Sequence, residues 1–295
     1  MDFDAFIEAA WADHADQPEA VAERLASASH ALARQQLAAW ARLWVHVTGE
    51  HLGQWQRGEA ALARLRPAAN GAEAATIDRS IATLRVTSGD DQAADGLPAE
   101  DRVVALATAA TALAGRAACT RALTLMDAAL GHFAAAAAGG QAASRALAVA
   151  GNNIAAALEE QPELSATERA GMLRAAQAGL LHWAACGGWL ETERAAFRLA
   201  SAAARAGDAA QAVAAATQCL DLCEKNRADA FERFFAHAVL ARARHLAANE
   251  EGFRSAKAAA LSCHAAIEPD NLRWCAAELA ALDALGPAGA PSGSH

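Results

Sequence analysis

Apolar residues in this chain recur at helical spacing, in stretches set apart by polar, glycine or proline breaks. Read in this way, the chain predicts about thirteen helices, drawn from fourteen candidate stretches. Phe3–Ala15, Gln17–Ser29, a long helix from His30 to Glu50, Gln54–Arg66 and Glu73–Val86 come first. After a polar break at Gly89–Pro98 follow Pro98–Gly115, Arg116–Phe133, Gln141–Glu160, Ser165–Ala185 and Gly188–Ala206. Asp208–Asn226, Ala228–Ala248, Glu250–Ile267 and Pro269–Leu285 complete the series. The break is the candidate boundary between helical units over 1–90 and a repeat array over 98–285 continuous with them, and the Gly-, Pro- and Ser-rich tail 286–295 is expected to be disordered. Boundary chemistry agrees with this reading. Ser165 with Glu168 has capping-box spacing, Asp208 after Gly207 is an N-cap, and Pro67, Pro162 and Pro269 fall at helix ends. The run Ala134–Ala138 should carry a helix into a turn at Gly139 and Gly140.

The second half repeats itself. Ser165–Leu181, Asp208–Cys223 and Glu251–Ala266 each run from a polar opening turn to an alanine, then on to small and apolar residues. The alanines, Ala170, Ala212 and Ala256, are 42 and then 44 residues apart, and another amphipathic helix precedes each stretch. Helix pairs at a fixed period imply an all-α solenoid, in which each unit buries its apolar face by stacking on the next.

Within this repeat, Phe197–Ala228 resembles the tetratricopeptide repeat. Leu199-Ala200 stands where that family has its Leu-Gly pair, Arg205-Ala206-Gly207-Asp208 looks like its turn, and Ala212 and Cys219 look like its small second-helix residues. Gly53-Gln54-Trp55 with Gly58 and Leu62 is similar to the same turn and second helix, and Leu147–Ile154 to a first helix. The helix pairs here are longer than the family's usual unit, and alanine fills most of its aromatic positions. The resemblance implies a right-handed superhelix of antiparallel helix pairs, with a concave groove that binds peptides.

Composition sharpens the fold class and narrows the function. Alanine makes up about a third of the chain while Val and Ile are scarce, which favours helix throughout. Arg supplies nearly all the positive charge, Lys225 and Lys257 being the two lysines, a skew that suggests a GC-rich bacterial genome. A net charge of −9 and a pI near 5.6 argue against nucleic acid as a partner. Val103–Gly115, the longest apolar run, is too short to span a bilayer, and the acidic start lacks a signal-peptide pattern. A cytoplasmic location follows as the expectation.

Candidate chemistry is sparse. Six cysteines without a CxxC read as free, buried thiols. Cys219 and Cys223 share a helix face, Cys263 takes the slot of Cys219 one unit on, and His264 adjoins it. A thiolate–imidazole metal site from these four is an alternative to plain packing. His46 and His51, five apart, should lie on different faces of a continuous helix. Trp40, Trp44 and Trp55 read as core bulk, and His182-Trp183 with Trp189 as an aromatic corner around Gly187-Gly188. Asp90-Asp91 and Glu159-Glu160 read as solvated charge. No nucleophile elbow, P-loop, dinucleotide fingerprint or zinc-peptidase motif occurs, so neither catalysis nor a cofactor is expected.

The resemblance carries the sharper expectation, residue by residue. It places Arg145, Ala148 and Asn152 on one groove helix, Arg194, Phe197, Arg198 and Ser201 on the next, and Arg242, His245 and Asn249 on a third. Asn152 matches an asparagine that grips peptide backbone or a terminal carboxylate, and arginines donate bidentately to carboxylates. The expected role is a non-enzymatic scaffold binding a protein or peptide with an acidic segment or free C-terminus. The alternative is a sensor domain that holds a small molecule or metal in a helical cavity.

Overall fold

Every strand-forming tendency has lost: the computed structural model describes residues 2–136 and 140–285, and among these it holds fourteen α-helices and no strand. They are α1 (Phe3–Asp13), α2 (Pro18–Ala28), α3 (Leu37–Val45), α4 (Trp55–Leu65), α5 (Gly71–Ser88), α6 (Ala99–Gly115) and α7 (Cys119–Ala135). Then follow α8 (Gln141–Glu159), α9 (Ala166–Cys186), α10 (Trp189–Ala206), α11 (Ala209–Lys225), α12 (Ala230–Leu246), α13 (Glu250–His264) and α14 (Leu272–Asp283). The alanine run stops being helical at Ala136, which is extended; Ala137, Ala138, Gly139 and the tail 286–295 lie outside the described residues. Two compact units divide inside α8, Met1–Ala157 and Leu158–His295. The polar break at Gly89–Pro98 is instead a turn between α5 and α6, which pack on each other within the first unit.

In the first unit large side chains make the core. Trp40 and Trp44 stack with centroids 5.1 Å apart, and their indole N–H groups donate to the carbonyls of Leu25 (2.9 Å) and Gly58 (3.0 Å). Leu25, Leu43, Leu62, Ile77 and Leu84 close around them. Gly58 admits this packing because a Cβ there would sit 2.7 Å from Thr48 Oγ1 and 2.8 Å from Leu84 Cδ1.

The expected continuous helix His30–Glu50 is not formed. Leu32 and Ala33 are extended, and the Gln36 side chain accepts the Ala33 N–H at 2.8 Å, opening a turn that leads into α3. Beyond α3 the chain widens into one π-helical turn, His46–His51. Thr48 Oγ1 donates to the Trp44 carbonyl at 2.6 Å and the Trp55 indole donates to the Gly49 carbonyl at 3.2 Å. The Leu52 N–H then reaches five residues back to Val47, at 3.0 Å. Side-chain donors thus compete for helix carbonyls, and the ladder shifts by one residue.

The second unit is regular. Successive helices pack from α9 to α13, while α10 also touches α12 and α12 touches α14, consistent with a solenoid-like stack. One core cluster is made of small residues, Ala196, Cys219, Cys223 and Ala236, with Leu180, Phe197 and Leu220 half-buried around it, and the unit also buries Phe234, Met172 and Leu240. Small side chains let helix axes approach closely. The turns are alike as well. Gly207 (φ 82°), Arg227 (φ 53°) and Ala248 (φ 54°) are left-handed, each followed by an N–H that reaches back to the helix (Asp208 to Ala203, Ala228 to Cys223, Asn249 to Arg244, each 2.9 Å). The caps expected at Ser165 and Asp208 are present, Ser165 with the full capping box, and Asp229 and Asn249 add two more.

Candidate functional site

Within the second unit, the residues placed in a groove fall on one row of alternate helices. Arg194 and Arg198 are one turn apart on α10, with Ser201 a turn beyond; Arg242 and His245 share a face of α12. Each of these three arginines is already partnered by a carboxylate two helices along the chain. Arg198 pairs with Glu159 at the end of α8 (2.7 Å), Arg194 with Glu232 on α12, and Arg242 with Glu278 on α14 (2.8 Å). The guanidinium groups expected to meet a partner's carboxylate are thus already held by carboxylates of this chain. Alternate helices carry opposite charges at matching heights, and the arginines neutralise carboxylates that the stack half-buries. Glu159 is not the solvated charge its sequence neighbour suggested: burial pushes its carboxyl above the ordinary value, against the pull of Arg198.

Between these pairs the row holds polar atoms that lack hydrogen bonds. Glu159 Oε1, Ser201 Oγ and His245 Nδ1 are buried without a partner. Phe197 lies edge-on to Phe235 at 5.8 Å, and the His245 ring sits 5.1 Å from Phe253. The row thus alternates charge pairs, aromatic rings and unsatisfied polar atoms.

The cysteines face a carboxylic acid. Cys219 and Cys223 share one face of α11, and both turn to Glu193 Oε1 on α10, at 2.9 and 3.6 Å. Burial raises the Glu193 carboxyl to about 7, with the two thiols pulling the other way and Glu232 adding to the rise. The Cys219 thiol is pushed upward by its contact with Cys223, by burial and by Glu193. Cys263 and His264 belong to α13, where the His264 ring lies 5.3 Å from Phe234. The four-residue metal set is not gathered into one cluster. None of the six cysteines is in a disulfide; Cys119, Cys219, Cys223 and Cys275 are buried, Cys186 and Cys263 half-buried.

In the first unit, Asn152 on α8 is half-buried and its Oδ1 has no partner, whereas Ala148 is fully buried and belongs to the core. Arg145 and Asn153 line a cavity of about 380 Å³ together with Arg42, His46, Glu50 and Arg79. Arg79 is tied to Asp101, and Val104, Thr108 and Val149 supply apolar and hydroxyl walls.

One arrangement here escaped the sequence reading. The π turn brings His46 and His51 onto the same side, with their Nε2 atoms 3.2 Å apart, where an α-helix would have separated them. His14, from the end of α1, joins them at ring-centroid distances of 4.9 and 5.1 Å. His46 Nδ1 lies 2.9 Å from Glu50 Oε2, and His14 Nδ1 lies 2.5 Å from the Trp11 carbonyl. Burial lowers the His51 pKa, and repulsion from His46 and His14 lowers it further, against Glu50. Only an HxxxEH spacing that was known to be π-helical could have revealed the pairing. No helix among the described residues is long and apolar enough to cross a membrane. Neither a protein-family model nor a curated protein matches this chain.

Proposed function

We propose that the second unit is a non-enzymatic binding module that takes a protein or peptide segment along the row formed by Glu159, α10, α12 and α14. The observation that carries this reading is the set of buried, unpartnered atoms on that row, Glu159 Oε1, Ser201 Oγ and His245 Nδ1. A buried polar group without a hydrogen bond costs roughly 1–3 kcal/mol, and a bound backbone would supply the missing donors and acceptors once the side chains that cover these atoms move aside. The arginines act in this scheme as paired charges that fix register, and the Phe197–Phe235 edge offers an apolar step. Asn152, with its own unpartnered Oδ1, is the matching position in the first unit.

The test is site-specific photo-crosslinking in the native cell. A crosslinking residue in place of Phe197 or Arg242 should trap a defined protein species. The same residue in place of Arg254, exposed on α13, should not. Equal trapping at all three sites, or at none, would defeat the proposal. A second reading, small-molecule binding, draws on the cavity of about 380 Å³ in the first unit, whose arginines favour an anionic ligand.

A further inference from the structure

The first unit brings together three histidines, and their surroundings set the tautomers of two of them. The Trp11 carbonyl beside His14 Nδ1 and the Glu50 carboxylate beside His46 Nδ1 are acceptors, so both Nδ1 atoms carry hydrogen. That leaves the Nε2 lone pairs of His14 and His46 available. His46 Nε2 and His51 Nε2 are 3.2 Å apart, and one ligand nitrogen from each of the three rings lies within 4.8 Å of the others. Two imidazoles bound at ~2.0–2.1 Å to a tetrahedral zinc ion hold their nitrogens about 3.3 Å apart.

The geometry points to a divalent transition-metal site formed by His14, His46 and His51, with Glu50 and the Trp11 carbonyl orienting two of the ligands. Ring packing accounts for the edge-on contact of Trp11 with His14 at 5.2 Å and its tilted contact with His46 at 5.3 Å. It does not account for His46 and His51 meeting Nε2 to Nε2 in a hydrogen bond while the opposite edge of His46 is tied to Glu50 and Nδ1 of His14 to the Trp11 carbonyl. That pairing of a ligating imidazole with an outer carboxylate or carbonyl is how metal sites fix orientation and raise ligand basicity. An all-imidazole donor set selects Zn²⁺, Cu²⁺, Ni²⁺ or Co²⁺ over Mg²⁺ and Ca²⁺. Three protein ligands leave a fourth position for water or an exchangeable ligand. All three histidines are half-buried, and His46 and Glu50 also line the cavity of about 380 Å³, which provides an entry path. The site shares no residue with the peptide row, since every one of its residues lies in the first unit.

The experiment uses the untagged full chain, stripped with chelator and titrated with Zn²⁺ by calorimetry and with Co²⁺ by visible absorption. The expected result is one ion per chain and the intense d–d bands of tetrahedral Co²⁺. His14→Ala and His51→Ala should each lower affinity at least 100-fold, and Glu50→Gln about 10-fold or more. Cys219→Ser should leave binding unchanged. Diethyl pyrocarbonate footprinting of the unaltered chain provides a reading that does not depend on a variant folding. Zn²⁺ should shield His14, His46 and His51 while leaving the exposed His132 reactive. Absence of stoichiometric Zn²⁺ binding, shielding elsewhere, or loss of binding in Cys219→Ser would overturn the assignment.

Discussion

Trp40 and Trp44 fill the centre of the first unit, whereas the second unit is centred on Ala196, Ala236, Cys219 and Cys223. The tryptophans anchor their N–H groups on carbonyls of other segments, and their bulk separates the surrounding helices. The chain between them bends to fit, with extended residues at Leu32 and Ala33 and a π turn at His46–His51. The cluster of alanines and cysteines imposes no such demand, although the second unit also buries Phe234. Its helices stay regular, its turns recur, and its polar residues meet at matching heights on α10, α12 and α14. The difference teaches where distinct chemistry arises. Large, oriented core side chains create one irregular place at which three histidines converge, while small ones create a row of similar places.

Trp44→Ala should show the largest effect. Removing a fully enclosed indole that also donates to the Gly58 carbonyl should cost about 3–5 kcal/mol. Hydrogen exchange read by mass spectrometry should place the loss of protection in the first unit, and a uniform loss over both units would break the comparison. The second expectation concerns Glu193, whose carboxyl is raised from 4.5 to about 7. A raised acid binds its proton more tightly in the folded than in the unfolded state. Stability therefore falls as pH rises through that window, by an amount on the order of 3 kcal/mol. Urea denaturation should show this slope, and Glu193→Gln should flatten it and be the more stable chain at alkaline pH. An unchanged slope would mean the acid is ionised and solvated in its thiol cradle.

Gly58→Ala comes next. A Cβ within 2.8 Å of both Thr48 and Leu84 must displace them, at about 1–3 kcal/mol, and thermal melting should register the loss. The matching change in the second unit has the opposite sign. Ala248 holds a left-handed turn (φ 54°), so Ala248→Gly should raise stability by about 1 kcal/mol, the smallest of the four effects. Destabilisation there would show that the Ala248 methyl contributes packing that outweighs backbone strain.

Much of this was legible from residue order. Alanine abundance and the helical period announced an all-α chain, and Ser165 with Glu168 marked a helix start that the capping box confirms. The tryptophans were recognisable as core, and Cys219 and Cys223 as neighbours on one face. What could not be read concerns choices among partners. Glu159 looked like surface charge because its sequence neighbours are polar, yet Arg198 and burial come from a helix that begins thirty residues later. The arginines looked free because the carboxylates they meet, Glu232 and Glu278, lie 38 and 36 residues away.

Helix content and repeat period depend on local propensity and on the spacing of apolar residues, so the sequence by itself determined them. The register of the π turn depended on which donors reached the Trp44 and Gly49 carbonyls, one of them the indole of Trp55, so only the tertiary structure decided it. The same holds for His14, which comes from another helix and meets His46 and His51 only after the core has packed. Residues five apart share a side in a π turn and not in an α-helix, and that single shift separates three scattered histidines from a site.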